Sequence, residues 1–207
     1  MENVLRINSF ILLFVISWST PHCQNLYFNI GTGVSVLHAE KIANPFDPKL
    51  NYIIGLSFDG DKKISGSFGV FLENKGATNK YNNWKINLNY LSGAVGVKYN
   101  LHNKWSVSSG GYASVILSKK IQSVNPIHSS NINTFWNKYD AGIWFEGTMR
   151  TGFISGVHDE DKITLYLFLR TQYGVLNTLE RWSALLTSQG NWIRNVYLDF
   201  GVKIKIP

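Results

Sequence analysis

Five charged residues in the second half of the chain have the types and spacing needed for ion pairing in a narrow space. Glu146 and Arg150 are four residues apart, as are Asp199 and Lys203, and Arg170 lies between these pairs. Side chains four apart in a β-strand share one face. Because an isolated buried ion is very unfavourable, such a set predicts a mutually paired, structural network. A narrow ion path or a ligand pocket is the alternative.

Two other clusters contain reactive residue types. His158–Asp161 has side chains that bind metals, but a solvated acidic turn explains them and hard-cation sites need several converging oxygens. His128–Ser130 pairs a base with a nucleophile, yet its loop lacks the acidic residue that orients such a base. We therefore expect no catalytic residue, no metal site and no cofactor.

Segments with a two-residue hydrophobic period follow one another along the chain after Gln24, as expected for β-strands and not for helices. There are eight of them, most near or above the roughly 9–11 residues with which a tilted strand crosses a bilayer. They are Leu26–Leu37, Leu50–Phe58, Ile64–Leu72, Lys85–Leu101, Trp105–Leu117, Tyr139–Phe153, Ile163–Val175 and Trp192–Ile206.

The composition is consistent with a surface that does not face water throughout. Of the 207 residues, 14% are aromatic and only 16% are charged, compared with about 25% charged in average soluble domains. The net charge of +7 is thinly spread, without a run of five like charges, so we expect no nucleic-acid partner. The single cysteine excludes a disulfide framework.

The first 23 residues have the pattern of a secretory signal peptide. Arg6 precedes the apolar core Phe10–Trp18, which is too short to span a bilayer, and a polar, turn-forming stretch follows. Cleavage before Gln24 leaves residues 24–207 as one barrel domain. Lipidation of Cys23 is the alternative, although Pro21 and His22 replace the small residues usual before a lipidated cysteine.

Short and long connections alternate, as in an antiparallel up-and-down barrel in the outer membrane, with its long loops outside the cell. The long ones are His38–Lys49, Glu73–Trp84, Ser118–Lys138 and Leu176–Asn191. We expect Leu167 and Leu198 to face lipid. Aromatic residues near strand ends suggest girdles: Tyr27, Phe28, Tyr99, Trp105, Phe153, Tyr173 and Trp192. A soluble lipocalin-type barrel with the opposite facing is the alternative.

Two local features add detail to this prediction. The apolar parity of the fourth segment changes near Tyr90 and Leu91, which indicates either a β-bulge or a first part above the membrane with free facing. In the last long loop, four apolar residues follow helical spacing and form a possible partner-docking surface: Leu179, Trp182, Leu185 and Leu186.

Five segments together resemble the PorT-like outer-membrane β-barrel family, which is common in Bacteroidetes. They are Phe71–Ala77, Leu88–Leu101, Tyr139–Gly147, Arg170–Asn177 and, in outline, Asn195–Ile206. In the family the first corresponds to a strand end and a Lys-Gly-Ala-like turn into the second external loop. The sequence departs from the family at Ala94, where the family has proline, and at the terminal Pro207.

The resemblance implies an eight-stranded barrel without catalytic residues, and some members are linked to type IX secretion and gliding. We therefore expect a structural, binding or assembly role in the cell envelope. The expected partners are outer-membrane lipid and envelope or secretion-complex proteins. An enzyme acting on outer-membrane lipid and a narrow pore are the alternatives.

Overall fold

A computed structural model describes residues 25–39, 47–79, 84–122, 137–154, 163–176 and 193–206. These residues form eight β-strands in the predicted order. Their bounds agree with the predicted segments within about two residues, except that β3 and β5 extend past Leu72 and Leu117 to Asn79 and Gln122. The strands are β1 (Asn25–Ala39), β2 (Lys49–Asp59), β3 (Ile64–Asn79), β4 (Trp84–His102), β5 (Trp105–Gln122), β6 (Tyr139–Ile154), β7 (Ile163–Gly174) and β8 (Ile193–Ile206).

The sheet is closed, because each strand pairs with its neighbour in sequence and β1 also pairs with β8. All eight pairings are antiparallel, so the predicted up-and-down barrel is confirmed. Leu26 pairs with Ile206, and Asn25 pairs with Asp59. The start of β1 and the end of β8 therefore lie at the same end of the barrel as the short turns. In the described residues no helix is long and apolar enough to cross a membrane.

Side chains alternate between a polar lumen and an apolar exterior. Leu167 and Leu198 are 46% and 45% exposed on the outer surface, as predicted, whereas Arg170 and Asp199 are buried inside. On β4, outward apolar residues extend from Leu91 to Leu101. Ten residue steps at about 3.3 Å each, tilted by roughly 40°, give an apolar band about 25 Å tall, which matches the hydrocarbon region of a membrane barrel.

The prediction of a long loop over Glu73–Trp84 is wrong. β3 continues to Asn79, which pairs with Trp84 at the start of β4, so residues 80–83 alone connect these strands. Phe71–Ala77, compared above with a strand end and turn, is strand throughout. Glu73 and Lys75 consequently lie inside the barrel and not in an external loop.

The predicted irregularity near Tyr90 is present, but it lies on the neighbouring strand. The β4–β5 register shifts between Asn89 and Tyr90, whose partners are Ser118 and Ile116, so Leu117 is the extra residue. β4 itself keeps one phase, with Ile86, Leu88 and Tyr90 all buried inward. The bulge in β5 therefore leaves these apolar side chains in the upper lumen.

Inward-facing glycines make room for an aromatic layer at mid-height. A Cβ added at Gly69 would lie 2.4 Å from the Phe71 ring, and one at Gly96 would lie 2.9 Å from Trp144. A small barrel fills its interior by alternating small and large side chains in this way. Ile53, Phe71, Ala94, Tyr112, Trp144 and Phe168 form one buried cluster.

Several predicted features lie outside the described residues: the signal peptide at 1–23, Cys23, His128–Ser130, His158–Asp161, and the loop residues Leu179, Trp182, Leu185 and Leu186. Of the predicted girdle residues, Tyr99 and Trp105 are exposed on the outer surface. Tyr27 does not belong to a girdle, since its ring is buried in the lumen.

The depth dependence of a charge on the outer surface tests this placement. Leu167→Arg and Leu198→Arg each place a cation near the middle of the apolar band and should lower the free energy of unfolding by about 2–4 kcal/mol. Leu50→Arg is the matched control, because Leu50 lies at the long-loop end of β2, where the cost should be about 0–1 kcal/mol. Denaturant titration in lipid bilayers measures all three. Equal costs at all three positions would contradict a membrane-embedded band.

Candidate functional site

A chain of ion pairs fills the lumen on the side of the short turns. The Glu146 carboxylate accepts hydrogen bonds from Arg170 Nε at 2.8 Å and from Lys203 Nζ at 2.8 Å. Lys203 also donates to Asp59 at 3.0 Å, and Lys98 Nζ lies 3.7 Å from the same carboxylate. All five side chains are buried. Each carboxylate therefore contacts two cations, and the set connects five strands.

The Arg170 guanidinium also lies against the aromatic layer. Its central carbon is 4.1 Å from the centre of the Phe71 ring, 5.4 Å from Trp144 and 5.8 Å from Phe168. A planar guanidinium stacks on aromatic faces and is less strongly hydrated than an ammonium, which suits it to this dry position. Arg170 therefore joins the ion pairs below to the apolar cluster at mid-height.

A second polar cluster lies on the long-loop side of the aromatic layer and is centred on Lys75. Lys75 Nζ lies 3.1 Å from Glu73 and 3.5 Å from Asp140, and it donates to Gln172 Oε1 at 2.9 Å. The rings of Tyr90, Tyr112 and Tyr197 surround the ammonium at 5.1, 4.6 and 5.3 Å from their centres. The cation is thus held by oxygen acceptors and by aromatic faces together.

Hydrogen bonds from neutral side chains complete this upper cluster. Ser92 and Gln172 each donate to Glu73 at 2.7 Å. Asn195 and Tyr112 donate to Asp140 at 3.1 and 3.2 Å. A buried carboxylate is tolerated when its lone pairs accept such bonds, so the cluster is stable without exposure to water.

Of the five residues of the predicted network, the structure brings three together. Glu146, Arg170 and Lys203 are in direct contact. Asp199 is buried opposite Arg170 in the β7–β8 register, but its oxygens accept no hydrogen bond from a described residue. Arg150 lies half-buried at the mouth beside the short turns, near Lys104 and Tyr166, and not within the buried cluster.

Sequence reasoning missed Asp59, Glu73, Lys75, Lys98 and Asp140, which carry much of the buried charge. The two-residue hydrophobic period ends at Leu72 and so predicts a loop for Glu73 and Lys75. The signal that would have found them is the inward parity of β3, which runs without interruption from Ser65 to Ala77. In the described strands the buried charges nearly balance, with five acidic and four basic residues.

Most of the buried charges in the described lumen have an oppositely charged neighbour. The described residues contain no group of three or more histidine, cysteine or acidic side chains placed to hold a metal ion. In the described lumen each of the four buried cations contacts at least one carboxylate. Chemically, the clusters can fix the strands relative to one another and resist the passage of ions.

An apolar exterior around a charged, paired interior is the reverse of a soluble barrel and defines a membrane-spanning β-barrel. Its closed sheet leaves no backbone edge in the hydrocarbon region. Single-chain bacterial barrels with an even number of strands belong to the outer membrane, and this chain is an eight-stranded outer-membrane β-barrel.

No family model and no curated protein sequence matches the chain. Solved outer-membrane structures are similar in fold at low identity. Neisserial surface protein A is 11% identical with a TM-score of 0.49, covering 87% of this chain and 97% of its own. OprG from Pseudomonas aeruginosa is 10% identical with a TM-score of 0.47, covering 89% and 97%. Ail from Yersinia pestis, in complex with the heparin analogue sucrose octasulfate, is 8% identical with a TM-score of 0.40, covering 86% and 98%.

Removal of Arg170 tests the structural role of the lower cluster. Arg170→Ala should lower the free energy of unfolding by about 3–5 kcal/mol, because the buried Glu146 carboxylate loses one of its two cations. Exposed Lys62 is the control, and Lys62→Ala should change stability by less than about 0.5 kcal/mol. Heat-modifiable gel migration and denaturant titration report both values.

The exchange of the two charges sharpens this test. In the Glu146→Arg, Arg170→Glu double variant, the new cation at position 146 faces Lys203, so we expect little recovery of stability. Recovery close to that of the unsubstituted barrel would mean that Lys203 does not contact position 146. Unchanged stability of Arg170→Ala would contradict the structural role altogether.

Proposed function

We propose that this outer-membrane barrel has a binding or assembly role in the cell envelope and is not an enzyme. The observation that carries the proposal is the continuation of three paired strands beyond the apolar band. β3 and β4 remain paired as far as Asn79 and Trp84, and β4 and β5 as far as Lys85 and Gln122. We call this three-stranded part the extension.

The extension presents polar side chains where the membrane ends. On the outer face of β4, Asn89, Asn87 and Lys85 follow Leu91 at two-residue intervals. Lys119 and Lys120 are exposed on the neighbouring β5. The filled lumen below holds the extension on a rigid base. A rigid, polar surface outside the bilayer is suited to contacts with another envelope component.

The finer assignment follows the PorT-like resemblance. Under it the partner is an envelope protein of a secretion or gliding assembly, including type IX secretion. The extension includes parts of two segments that carry the resemblance, Phe71–Ala77 and Leu88–Leu101.

Site-specific photocrosslinking in intact cells tests this role. A photoreactive residue at position 122, exposed at the end of the extension, should crosslink to one envelope protein in a defined adduct. The matched control is position 62, an exposed lysine in the turn at the opposite end of the barrel, which should not form the same adduct. Only lipid adducts at position 122 would count against a protein partner.

A narrow pore is the second candidate, and the packing of the lumen weighs against it. Arg170 lies against the rings of both Phe71 and Trp144 at mid-height, and the two rings belong to one buried cluster. The unsubstituted barrel should show no ion conductance in planar lipid bilayers, whereas Arg170→Ala combined with Trp144→Ala should open intermittent conductance steps. Steady conductance of the unsubstituted barrel would favour the pore.

A further inference from the structure

The wall of the barrel is interrupted between β2 and β3 near its long-loop end. The ladder between these strands runs from Asp59–Ser67 to Ile53–Glu73. Within the described residues they meet again at one isolated bridge, Asp47–Thr78. Between these two points the chain has six residue steps from Ile53 back to Asp47, but only five from Glu73 to Thr78. The two strands therefore cannot stay in register. We call this interruption the seam.

Side chains hold the seam in place of backbone pairs. The Ser35 hydroxyl of β1 bonds both the N–H and the C=O of Gly76, each at 2.9 Å. Lys49 donates to Asn74 at 3.2 Å and also to Asn87. The Tyr52 hydroxyl lies 3.3 Å from Asn89 Oδ1. Side-chain hydrogen bonds thus connect the strands where the backbone pairs are missing, and polar residues lie along the upper part of the seam.

A recess of about 530 Å³ opens on the outer surface at the seam. Its walls include Ile54, Leu72 and Leu117, of which Leu72 is 47% and Leu117 56% exposed. Tyr52, Asn89 and Ser118 form its polar side, and at its base the recess reaches Glu73 and Tyr90, whose side chains are buried. Leu72 and Leu117 lie at the upper edge of the apolar band, so the recess is at the level where acyl chains meet headgroups.

Lysines lie on the outer face directly above the recess. Lys49 contacts Asn87, and Asn87 pairs with Lys120 in the β4–β5 register. Since Asn89 and Ser118 line the recess, strand alternation places Asn87 and Lys120 on the same outer face, one step higher. Lys85 follows on that face, with Asp47 across the bridge to Thr78 as a nearby acidic side chain.

We propose that the recess binds one acyl chain of a phosphorylated lipid of the outer leaflet, whose phosphate contacts Lys49 and Lys120. We infer a lipid as the occupant because an apolar recess and a group of cations lie next to each other at the edge of the membrane. The apolar walls are continuous with the band that lipid already covers, and the cations lie where the headgroup of that lipid would be. A recess between strands holds a chain on more sides than a flat wall does, which favours one retained lipid over exchange with the bilayer.

Native mass spectrometry of the detergent-purified full chain tests the proposal with defined lipids. The probes are a diphosphorylated, hexa-acylated glucosamine disaccharide and its dephosphorylated form. We expect one phosphorylated lipid to be retained per barrel. The Lys49→Gln, Lys120→Gln double variant should lower its affinity about thirtyfold, since each lysine near an anionic surface contributes roughly fivefold.

A second variant tests the recess itself. Leu72→Trp fills the recess and should lower the binding of both lipid probes. Its matched control is Leu198→Trp, which changes an equally exposed outward leucine on the far side of the barrel and should leave binding unchanged. The control for the lysines is the Lys62→Gln, Lys63→Gln double variant in a turn at the opposite end.

Folding and binding are separable in this design. Lys120→Gln alone leaves the hydrogen bonds of Lys49 at the seam in place and should still weaken binding about fivefold. Heat-modifiable migration verifies that each variant is folded. Equal binding of the phosphorylated and dephosphorylated probes would overturn the phosphate contact. Equal losses in Leu72→Trp and Leu198→Trp, or no retained lipid, would overturn the site.

Discussion

The Glu146 carboxylate, held between Arg170 and Lys203, is the interaction on which the rest of the barrel depends. Lipid covers the outside, so the interior alone must accommodate the charges, and an unpaired ion there is very unfavourable. From Glu146 the contacts pass through Lys203 to Asp59 and on to Lys98. Residues from β2, β4, β6, β7 and β8 are thereby linked across the lumen. Any change in the position of one strand would separate a buried charge from its partner.

In the upper cluster, buried charges are also paired, but aromatic rings and neutral hydrogen-bond donors take part as well. Lys75 combines carboxylates with three tyrosine rings, and neutral donors add hydrogen bonds to Glu73 and to one oxygen of Asp140. Between the two clusters, Arg170 rests on the aromatic layer, for which inward glycines leave space. The lumen is therefore a stiff polar and aromatic core.

The seam between β2 and β3 is tolerated because of its level in the membrane. A break in a backbone ladder is very unfavourable in hydrocarbon, where no water can replace the lost bonds. This one lies at the upper edge of the apolar band, and Ser35, Lys49 and Tyr52 supply hydrogen bonds there.

The sequence by itself determined the number of strands, their order and which face of β7 and β8 is polar. These properties are local, because a period of two residues and the type of each side chain do not depend on distant parts of the chain. It also indicated that Glu146, Arg170 and Lys203 share the lumen, since their strands are consecutive and their parity is inward.

Only the tertiary structure decided which charges pair and where strands end. Arg170 pairs with Glu146 on one neighbouring strand and not with Asp199 on the other, a choice set by the shape of the lumen. Lys75 and Gln172 are 97 residues apart, and their contact exists only because the sheet closes. Asn74, Lys75 and Gly76 read locally as a turn, yet pairing with β4 keeps them in a strand. Ring closure and long-range pairing outweigh local turn propensity, because they satisfy more backbone groups than a turn would.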